Sequence, residues 1–460
     1  MSRLWDKGAP LDERVLHYTA GEDHALDERL VAYDARASIA HAQMLHDQGL
    51  LSSADCEAIE QGLEALAAAH AQGAWRIELA DEDGQTALEK RLTALIGAAG
   101  GRVHLGRSRN DQVLAALRLY MRDASLQLAE AAEAVAAALT RLAAREGDLA
   151  LPGYTHMQQA MPSSVELWAG GFAAELRDDA AGLRAVQRRI GKNPLGSAAG
   201  YGTPGLPLDR EATRQALDFE TVHEPVTAVQ LSRGKAESQL LFEITLLMQD
   251  LGRFAADVCL FYTQEFAFLH LPEQFTTGSS IMPQKRNPDV FELLRGRSAT
   301  AQGCLLEALA IVAKLPSGYQ RDLQLLKAPL FRGIDLALAS TAILVPAIDA
   351  MGFRADNIRL DPAIHAAERA NELVVREGIP FREAYRRVGA ELRGDSGDAD
   401  PLHEDSPHED STRVGPANPL ARTDTSPGVP ASRSSVSIRS PKIRWSRRSI
   451  SSSPSLLPIM

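Results

Sequence analysis

Apolar residues recur along most of the chain at the spacing of α-helices, and the alternating pattern of β-strands is nearly absent. From Ser108 to Glu146 there is no glycine or proline, and residues that favour helices, chiefly alanine, leucine, glutamate and arginine, fill the run. One helix over this stretch would be roughly 58 Å long at 1.5 Å per residue, far longer than a typical globular helix. The pattern therefore predicts an all-α fold built around very long helices.

A second long run, Lys235–His270, is apolar on most faces in its middle. A helix of that kind is buried in a large protein or against partner chains. The same spacing predicts three further long helices, at Ser163–Ile190, Val290–Leu315 and Lys327–Met351. These segments predict a bundle of long helices whose remaining apolar surface is covered by oligomerisation.

Changes in helix length divide the chain into three predicted helical domains. Residues 1–107 form a smaller N-terminal domain, residues 108–352 the central long-helix bundle that assembles with other subunits, and residues 353–393 a small C-terminal domain that ends abruptly, as a truncated domain would. The shorter helices predicted in the two outer domains are Ala25–Asp47, Ser53–Gln72, Thr86–Gly97, Pro362–Glu377 and a last one from Pro380 to Arg393.

The composition changes after Arg393. Residues 395–410 are rich in aspartate and glutamate, whereas residues 411–460 are basic and rich in serine and proline. Because such a segment buries too little apolar surface to offset its ordering entropy, we predict that residues 394–460 are disordered. Two origins stay open, a genuine tail of mixed charge and translation in a shifted reading frame, and the sudden loss of the helical pattern favours the second.

Charge and cysteine usage exclude several classes of protein. The formal net charge of -11 argues against nucleic-acid binding, because phosphates require a basic face. The three cysteines, Cys56, Cys259 and Cys304, are far apart, so we expect reduced thiols in a cytoplasmic protein without metal ligands or disulfides. The N-terminus lacks the apolar region of a signal peptide. No uncharged apolar run reaches the roughly 18 residues of a membrane span.

The most informative polar segment is Gly278–Asp289, which reads GSSIMPQKRNPD. An ordinary connection between helices accounts for its glycine and prolines, but not for Lys285 and Asn287 beside two serines. These side chains are suited to bind an anion and to move a proton. Glu292 follows on the next helix and could orient an imidazole, as a carboxylate does in hydrolase triads.

A candidate imidazole lies in the segment Gly153–Pro162. His156 is placed there by a loop rather than by a helix face, and histidine titrates near neutral pH, which suits general acid or base catalysis. A structural histidine that bonds to the backbone accounts for this segment equally well.

Two more polar segments carry candidate binding groups. Gly106–Asp111 leads into the longest helix, where serine, asparagine and aspartate are good caps and free N–H groups attract anions. Ser317–Lys327 contains tyrosine, glutamine and lysine at a spacing that could hold an amino-acid head group. Taken alone, a helix cap with surface charge explains the first segment and a solvated loop explains the second.

In combination, the four segments resemble the fumarase/aspartase superfamily. The signature loop of that superfamily reads Gly-Ser-Ser-x-Met-Pro-x-Lys-x-Asn-Pro, and residues 278–288 match it. Within the superfamily, Gln284, the segment Ser108–Asp111 and the pattern Tyr319–Lys327 have the forms found in argininosuccinate lyases. The likeness runs from about Leu30 to Arg393.

The resemblance implies reversible elimination of argininosuccinate to arginine and fumarate in arginine biosynthesis, with no cofactor and no metal. It also implies a homotetramer in which each active site takes segments from three subunits. Two alternatives stay open: another fumarate-releasing lyase, such as an adenylosuccinate lyase-like enzyme, and a catalytically silent homologue like the lens crystallin that shares the fold. The intact set Ser279, His156, Lys285 and Asn287 favours an enzyme.

The resemblance also implies the roles of individual residues. Ser279 is the expected base, Lys285 stabilises the charge that develops, and His156, oriented by Glu292, is the expected acid. The expected substrate-binding residues are Ser108, Asn110 and Thr155 for the fumarate-like carboxylates and Tyr319, Gln324 and Lys327 for the arginine-side carboxylate. Arg109 is a further expected binding residue, and Asn287 is expected to donate to the developing charge together with Lys285.

The chain departs from the family pattern near its N-terminus. Family members usually have Phe-x-x-Ser before an Asp-x-Arg-Leu segment, whereas Tyr18–His24 precedes Asp27–Leu30 here without a serine. Gln85 stands where a histidine is common, and Met161 where a glutamine is usual. We therefore expect an intact catalytic set and altered substrate contacts from the N-terminal domain.

Overall fold

A computed structural model describes residues 12–394, and helices dominate this part of the chain. The N-terminal region contains the helices α1 (Glu13–Ala20), α2 (Asp23–Leu26), α3 (Val31–Asp47), α4 (Ser53–Ala71), α5 (Gly84–Ile96) and α6 (Ala98–Arg102). Short 3-10 turns at Asp27–Leu30 and Leu79–Asp81 join them. The predicted helix Ala25–Asp47 is therefore wrong at its start, since a regular α-helix begins only at Val31.

Long helices form the central region, as the apolar spacing predicts. They are α7 (Arg109–Glu146), α8 (Val165–Ala185), α12 (Lys235–Phe261), α13 (Asp289–Val312) and α14 (Lys327–Ala350), and shorter ones are α9 (Gln187–Ile190), α10 (Arg210–Ala216) and α11 (Val226–Leu231). α7 packs against α8 and α14, and α12 packs against α13. One buried apolar cluster runs through all five long helices and forms the core of the bundle.

Capping groups and local breaks set where the long helices start and stop. Ser108 caps α7, since its Oγ accepts the N–H of Asn110 at 3.3 Å and its own N–H donates to the carboxylate of Asp111 at 3.0 Å. This confirms the predicted cap. α12 ends at Phe261 rather than at His270, because the chain leaves the helix to form a strand at Leu269–His270.

Short strands lie between the helices, which the sequence pattern did not predict. The largest pair is the antiparallel hairpin β1 (Ala150–Thr155) and β2 (Gln158–Ser164). The other strands are β3 (Lys192–Asn193), β4 (Thr221–Val222), β5 (Leu269–His270) and β6 (Gly352–Phe353), of which β3 pairs with β4 and β5 with β6. The hairpin lies within the single connection between α7 and α8, whereas each of the other two pairs holds two connections together.

The C-terminal region consists of α15 (Ala366–Glu377) and α16 (Phe381–Arg393), after a 3-10 turn at Pro362–His365. These two helices share a small apolar core of their own, and the N-terminal helices share another. The domain boundaries after residues 107 and 352 stay predictions. The predicted tail lies outside the described residues, apart from Gly394 at the end of α16.

Within the described residues, one helical stretch, Arg321–Ala350, is long and apolar enough to cross a membrane by length and composition alone. It contains α14, which packs against α7, α12 and α13 in the bundle. Its most apolar window is 44% buried, so packing among these helices accounts for part of its apolar character.

Three long helices start at the same end of the bundle. Asn110 at the start of α7, Arg233 just before α12 and Lys327 at the start of α14 line one cavity. At the opposite end, Glu146 at the end of α7 accepts the N–H of Phe353, which follows α14, at 2.6 Å. We call these the cavity end and the far end. α7 has 38 residues and α14 has 24, so the two ends are roughly 36 to 57 Å apart.

Candidate active site

The cavity end gathers five of the predicted site residues around one small cavity of about 210 Å³: Arg109, Asn110, Tyr319, Gln324 and Lys327. Ser108 lies beside them as the cap of α7. Six further residues line the cavity and were not among the predicted site residues: Asp23, Asp83, Gln85, Val113, Arg233 and Arg321. The cavity is therefore both cationic and anionic in its lining.

A buried network holds the start of α7 in place. The carboxylate of Asp111 accepts the N–H of Gly196 at 3.1 Å and of Ala198 at 2.7 Å, in addition to that of Ser108. Burial raises the pKa of Asp111 to about 6, against the lowering effect of these hydrogen bonds. Since each bond fixes the turn before α7, the free N–H groups of its first turn keep a defined direction.

Arg109 connects two helix starts. Its Nη1 lies 3.2 Å from Oδ2 of Asp83, and Oδ1 of Asp83 accepts the N–H of Thr86 at 2.8 Å as the cap of α5. The guanidinium charge of Arg109 is therefore balanced by a carboxylate that is itself fixed by a helix.

Lys327 is buried between two carboxylates. Its Nζ lies 2.6 Å from Oδ1 of Asp27 and 2.9 Å from Oδ2 of Asp23, with 3% of the side chain exposed. Burial lowers the pKa of Lys327, but the two carboxylates outweigh this effect and the net pKa is raised. The predicted contact of Lys327 with a substrate carboxylate stays a prediction, but the lysine already shares its charge with two aspartates.

The 3-10 turn Arg321–Leu326 is tied to the end of α1. Gln324 Nε2 donates to the carbonyl oxygens of Thr19 at 3.0 Å and Ala20 at 3.3 Å, and Arg321 Nη2 donates to Thr19 at 2.8 Å. These bonds bring the segment after α13 against the N-terminal region, which closes one side of the cavity.

Arg233 is the buried cation that sequence reasoning missed. It is 5% exposed, its Nε lies 3.4 Å from Oε1 of Glu237, and its Nη2 donates to the carbonyl oxygen of Leu323 at 3.2 Å. Its Nη1 has no hydrogen-bond partner among the described residues. A buried donor of this kind indicates a missing acceptor. An arginine two residues before a helix with an apolar middle was the available sequence signal.

The hairpin β1–β2 carries His156 and Thr155 at the far end. Its first strand begins four residues after α7 ends, and its two-residue turn consists of His156 and Met157 with φ angles of 51° and 61°. Two successive positive φ angles are those of a type I′ turn, which usually requires asparagine or glycine. His156 and Thr155 are exposed and do not line the cavity.

The signature loop Gly278–Pro288 also lies at the far end, between β5 and α13. Reciprocal hydrogen bonds between Thr277 and Asn287, at 3.0 and 2.8 Å, close its base. Within it, Ser279 Oγ accepts the N–H of Ile281 at 3.3 Å and of Met282 at 3.2 Å. Lys285 is exposed in this loop.

The remaining predicted residues, Asn287 and Glu292, flank the end of this loop. Asn287 Nδ2 donates to the carbonyl oxygen of Gly278 at 3.4 Å, and Glu292 is exposed in the first turn of α13. One chain therefore separates the predicted site residues into two sets, those at the cavity end and those at the far end. The predicted pairing of Glu292 with His156 stays a prediction. Among residues 12–394, no group of three or more His, Cys, Asp or Glu side chains is arranged to hold a metal ion.

Comparisons with known proteins converge on one kind of enzyme. The family described as Lyase matches residues 14–303. The argininosuccinate lyase of Sorangium cellulosum (strain So ce56) is 50% identical over 392 residues, which cover 85% of this chain and 90% of the relative. That of Stenotrophomonas maltophilia (strain K279a) is 42% identical over 390 residues, which cover 84% and 90%. Among solved structures, an EDDS lyase variant with bound fumarate matches with a TM-score of 0.70 at 26% identity, over 84% of this chain and 78% of that one.

Proposed function

The chain belongs to the argininosuccinate lyase family and is a lyase, and from that premise we propose how its residues cleave argininosuccinate reversibly to arginine and fumarate. The observation that carries the proposal is the loop Gly278–Pro288, where Ser279, Lys285 and Asn287 lie within a few residues of one another. A purely structural protein such as a lens crystallin does not need this set. Gln284 and the segment Tyr319–Lys327 favour argininosuccinate over adenylosuccinate as substrate.

Ser279 removes a proton from the succinyl carbon next to the one that carries the departing nitrogen. A free serine hydroxyl is a weak base, so its alkoxide must be stabilised. The N–H groups of Ile281 and Met282 point at Ser279 Oγ, and oriented N–H donors stabilise negative charge on oxygen. Lys285 in the same loop adds a positive charge, which lowers the pKa of a nearby hydroxyl.

Loss of that proton leaves extra negative charge on the neighbouring carboxylate. Donors that are already in position stabilise such charge without reorganising, and Lys285 and Asn287 supply them from the loop. Ser108 and Asn110 supply polar side chains at the start of α7, where a helix attracts anions. Thr155 on the hairpin binds the same half of the substrate.

His156 protonates the guanidino nitrogen as the carbon–nitrogen bond breaks. An imidazole is suited to this step because its charge changes near neutral pH. Glu292 from α13 orients the ring, as a carboxylate does in a hydrolase triad.

We also propose that the protein works in the cytoplasm as a homotetramer with shared active sites. His156 and Ser279 lie at the far end, whereas the groups for the arginine side lie at the cavity end, roughly 36 to 57 Å away by the lengths of α14 and α7. One substrate cannot reach both ends of a chain, so the cavity end of one subunit must meet the far end of another. Contact between subunits would also bury the large apolar side chains that are exposed on the bundle helices: Leu126, Leu167, Phe242, Leu293, Leu306, Leu309 and Ile343.

The activity is tested with the purified full chain and argininosuccinate. We expect the ultraviolet absorbance of fumarate to rise, and arginine to form in equal amount. Adenylosuccinate, supplied under the same conditions, should give no fumarate. Release from adenylosuccinate alone would favour the second lyase activity, and release from neither substrate would favour a structural protein.

Shared sites are tested by combining two inactive chains. Asn110→Leu removes a group at the cavity end, and Ser279→Ala removes one at the far end. If each site takes these segments from different subunits, random assembly after coexpression gives roughly a quarter of the sites both intact segments. We therefore expect up to about a quarter of the parent activity. Two variants that stay inactive in mixed assemblies would place both segments in one chain and overturn the shared site.

A further inference from the structure

We propose that Asp23 binds the α-ammonium group of the arginine half of the substrate, and so makes the cavity selective for an α-amino acid. This inference rests on the proposed function and assigns a specific contact within that site. Asp23 lies in the stretch before Asp27, where the chain lacks the serine that family members usually have. Asp23 would therefore provide a substrate contact in the stretch where the serine is missing.

Asp23 has access to the cavity, unlike the other carboxylate on Lys327. It lines the cavity together with Tyr319 and Gln324, and 11% of its side chain is exposed. Asp27 is fully buried and has a second partner, the N–H of Gly84 at 3.0 Å. Of the two, Asp23 is the one that a ligand can reach.

Among residues 12–394, the charged groups in contact with Asp23 do not balance its charge. Lys327 supplies one positive charge to two carboxylates, and the neighbouring carboxylate of Asp83 is paired with Arg109. One negative charge remains at the wall of the cavity, where burial makes an uncompensated carboxylate costly. Consistent with this, burial raises the pKa of Asp23 above its ordinary value, although Lys327 opposes the effect. A ligand ammonium would supply the missing charge.

A second unpartnered group in the same wall indicates what accompanies that ammonium. Arg233 Nη1 is buried, faces no acceptor among the described residues and belongs to a side chain that lines the cavity. It requires an anionic or carbonyl oxygen. In one cavity of about 210 Å³, Asp23 therefore needs a cation and Arg233 needs an anion. An α-amino acid carries both, an ammonium and a carboxylate, on a single carbon.

A different role for Asp23 is to hold Lys327 in place without touching substrate. The two roles differ in whether the effect of Asp23 depends on the α-ammonium nitrogen of the ligand. The arginine analogue that has hydrogen in place of the α-ammonium, 5-guanidinopentanoate, keeps the guanidine and the carboxylate. Only a direct contact makes the ratio of kcat/KM for arginine to kcat/KM for this analogue depend on Asp23.

The experiment measures kcat/KM in the synthetic direction, with saturating fumarate, for arginine and for the analogue. We expect the parent protein to prefer arginine, and Asp23→Asn to reduce that preference by about 10- to 100-fold, the range of a charge-assisted hydrogen bond. The reduction should appear mainly as a higher KM for arginine, with kcat for the analogue close to the parent value. Asp23→Glu, which keeps the charge, should retain part of the preference.

Asp27→Asn is the matched control, because Asp27 also contacts Lys327 but does not line the cavity. It should slow both substrates alike and leave their ratio unchanged. An Asp23→Asn protein with the parent ratio, or an equal loss of preference in Asp27→Asn, overturns the proposal.

Calorimetric binding of arginine and of the analogue separates this inference from the proposed reaction. A chain that releases no fumarate but binds arginine more tightly than the analogue, in a manner that requires Asp23, refutes the reaction and supports the contact. A chain that turns over argininosuccinate with a preference independent of Asp23 refutes the contact alone.

Discussion

Ser279→Ala slows the turnover of argininosuccinate by at least about 100-fold, since a positioned general base contributes about 10²- to 10⁴-fold. The substitution removes the oxygen that accepts the N–H groups of Ile281 and Met282, so those donors have no alkoxide to stabilise. Binding of the products should change much less, because the carboxylates are held by other groups. Steady-state turnover and calorimetric binding of arginine with fumarate measure the two effects.

The neighbouring serine is the matched control for this prediction. Ser280 is exposed in the same loop, and Ser280→Ala should turn over close to the parent rate. A Ser279→Ala protein with more than about a tenth of the parent rate has lost less than about 1.4 kcal/mol of transition-state stabilisation. Such a result would take the role of base away from Ser279.

His156→Asn should lower kcat by about 10²- to 10⁴-fold, the contribution of a general acid. Asparagine tolerates a positive φ better than most residues, so it suits the turn where φ of residue 156 is 51°. Elimination needs a protonated acid, so removal of the imidazole should also change how the rate depends on pH. A pH profile of kcat for the parent protein and for the variant measures this change.

Met157→Gly is the control for the shape of the turn. Glycine accepts the φ angle of 61° at this position, so the hairpin remains and the imidazole is untouched. We expect near-parent kcat and the same pH profile. An unchanged pH profile in His156→Asn would remove His156 from the acid role, even if its rate were reduced.

Helix length was the most predictable part of the fold. The run without glycine or proline forms α7 over 38 residues, and Ser108 caps it as its residue type indicates. Both properties are local, because propensity and capping depend on residues within one turn of each other. The end of α12 was not predictable in this way, since the break after Phe261 depends on the pairing of β5 with a strand far along the chain.

The hairpin shows why local patterns miss a strand pair. Its turn contains His156 and Met157 instead of asparagine and glycine, and its strands contain Pro152 and Pro162, so neither the turn nor the strand signal is present. Pairing between α7 and α8, to which the hairpin is joined, fixes it instead.

The sequence motifs predicted which residues belong to the candidate site, but not how those residues are arranged in space. The four polar segments identify Ser279, Lys285 and Asn287, but they do not indicate that Asp23 and Arg233 line a cavity with Lys327. Burial and shared charge arise from segments hundreds of positions apart, such as Asp27 with Lys327. Those relations exist only once the chain is folded.

The continuous α7 also constrains how this protein can change in length. A single inserted or deleted residue within the helix would rotate everything beyond it by about 100° and shift it by about 1.5 Å. The hairpin that follows Glu146 would then face a different direction from the residues that precede Arg109. Insertions and deletions are therefore expected to accumulate in connections such as 263–268. The stretch from 109 to 146 should keep a fixed number of residues, because its length sets the spacing and relative orientation of the two ends.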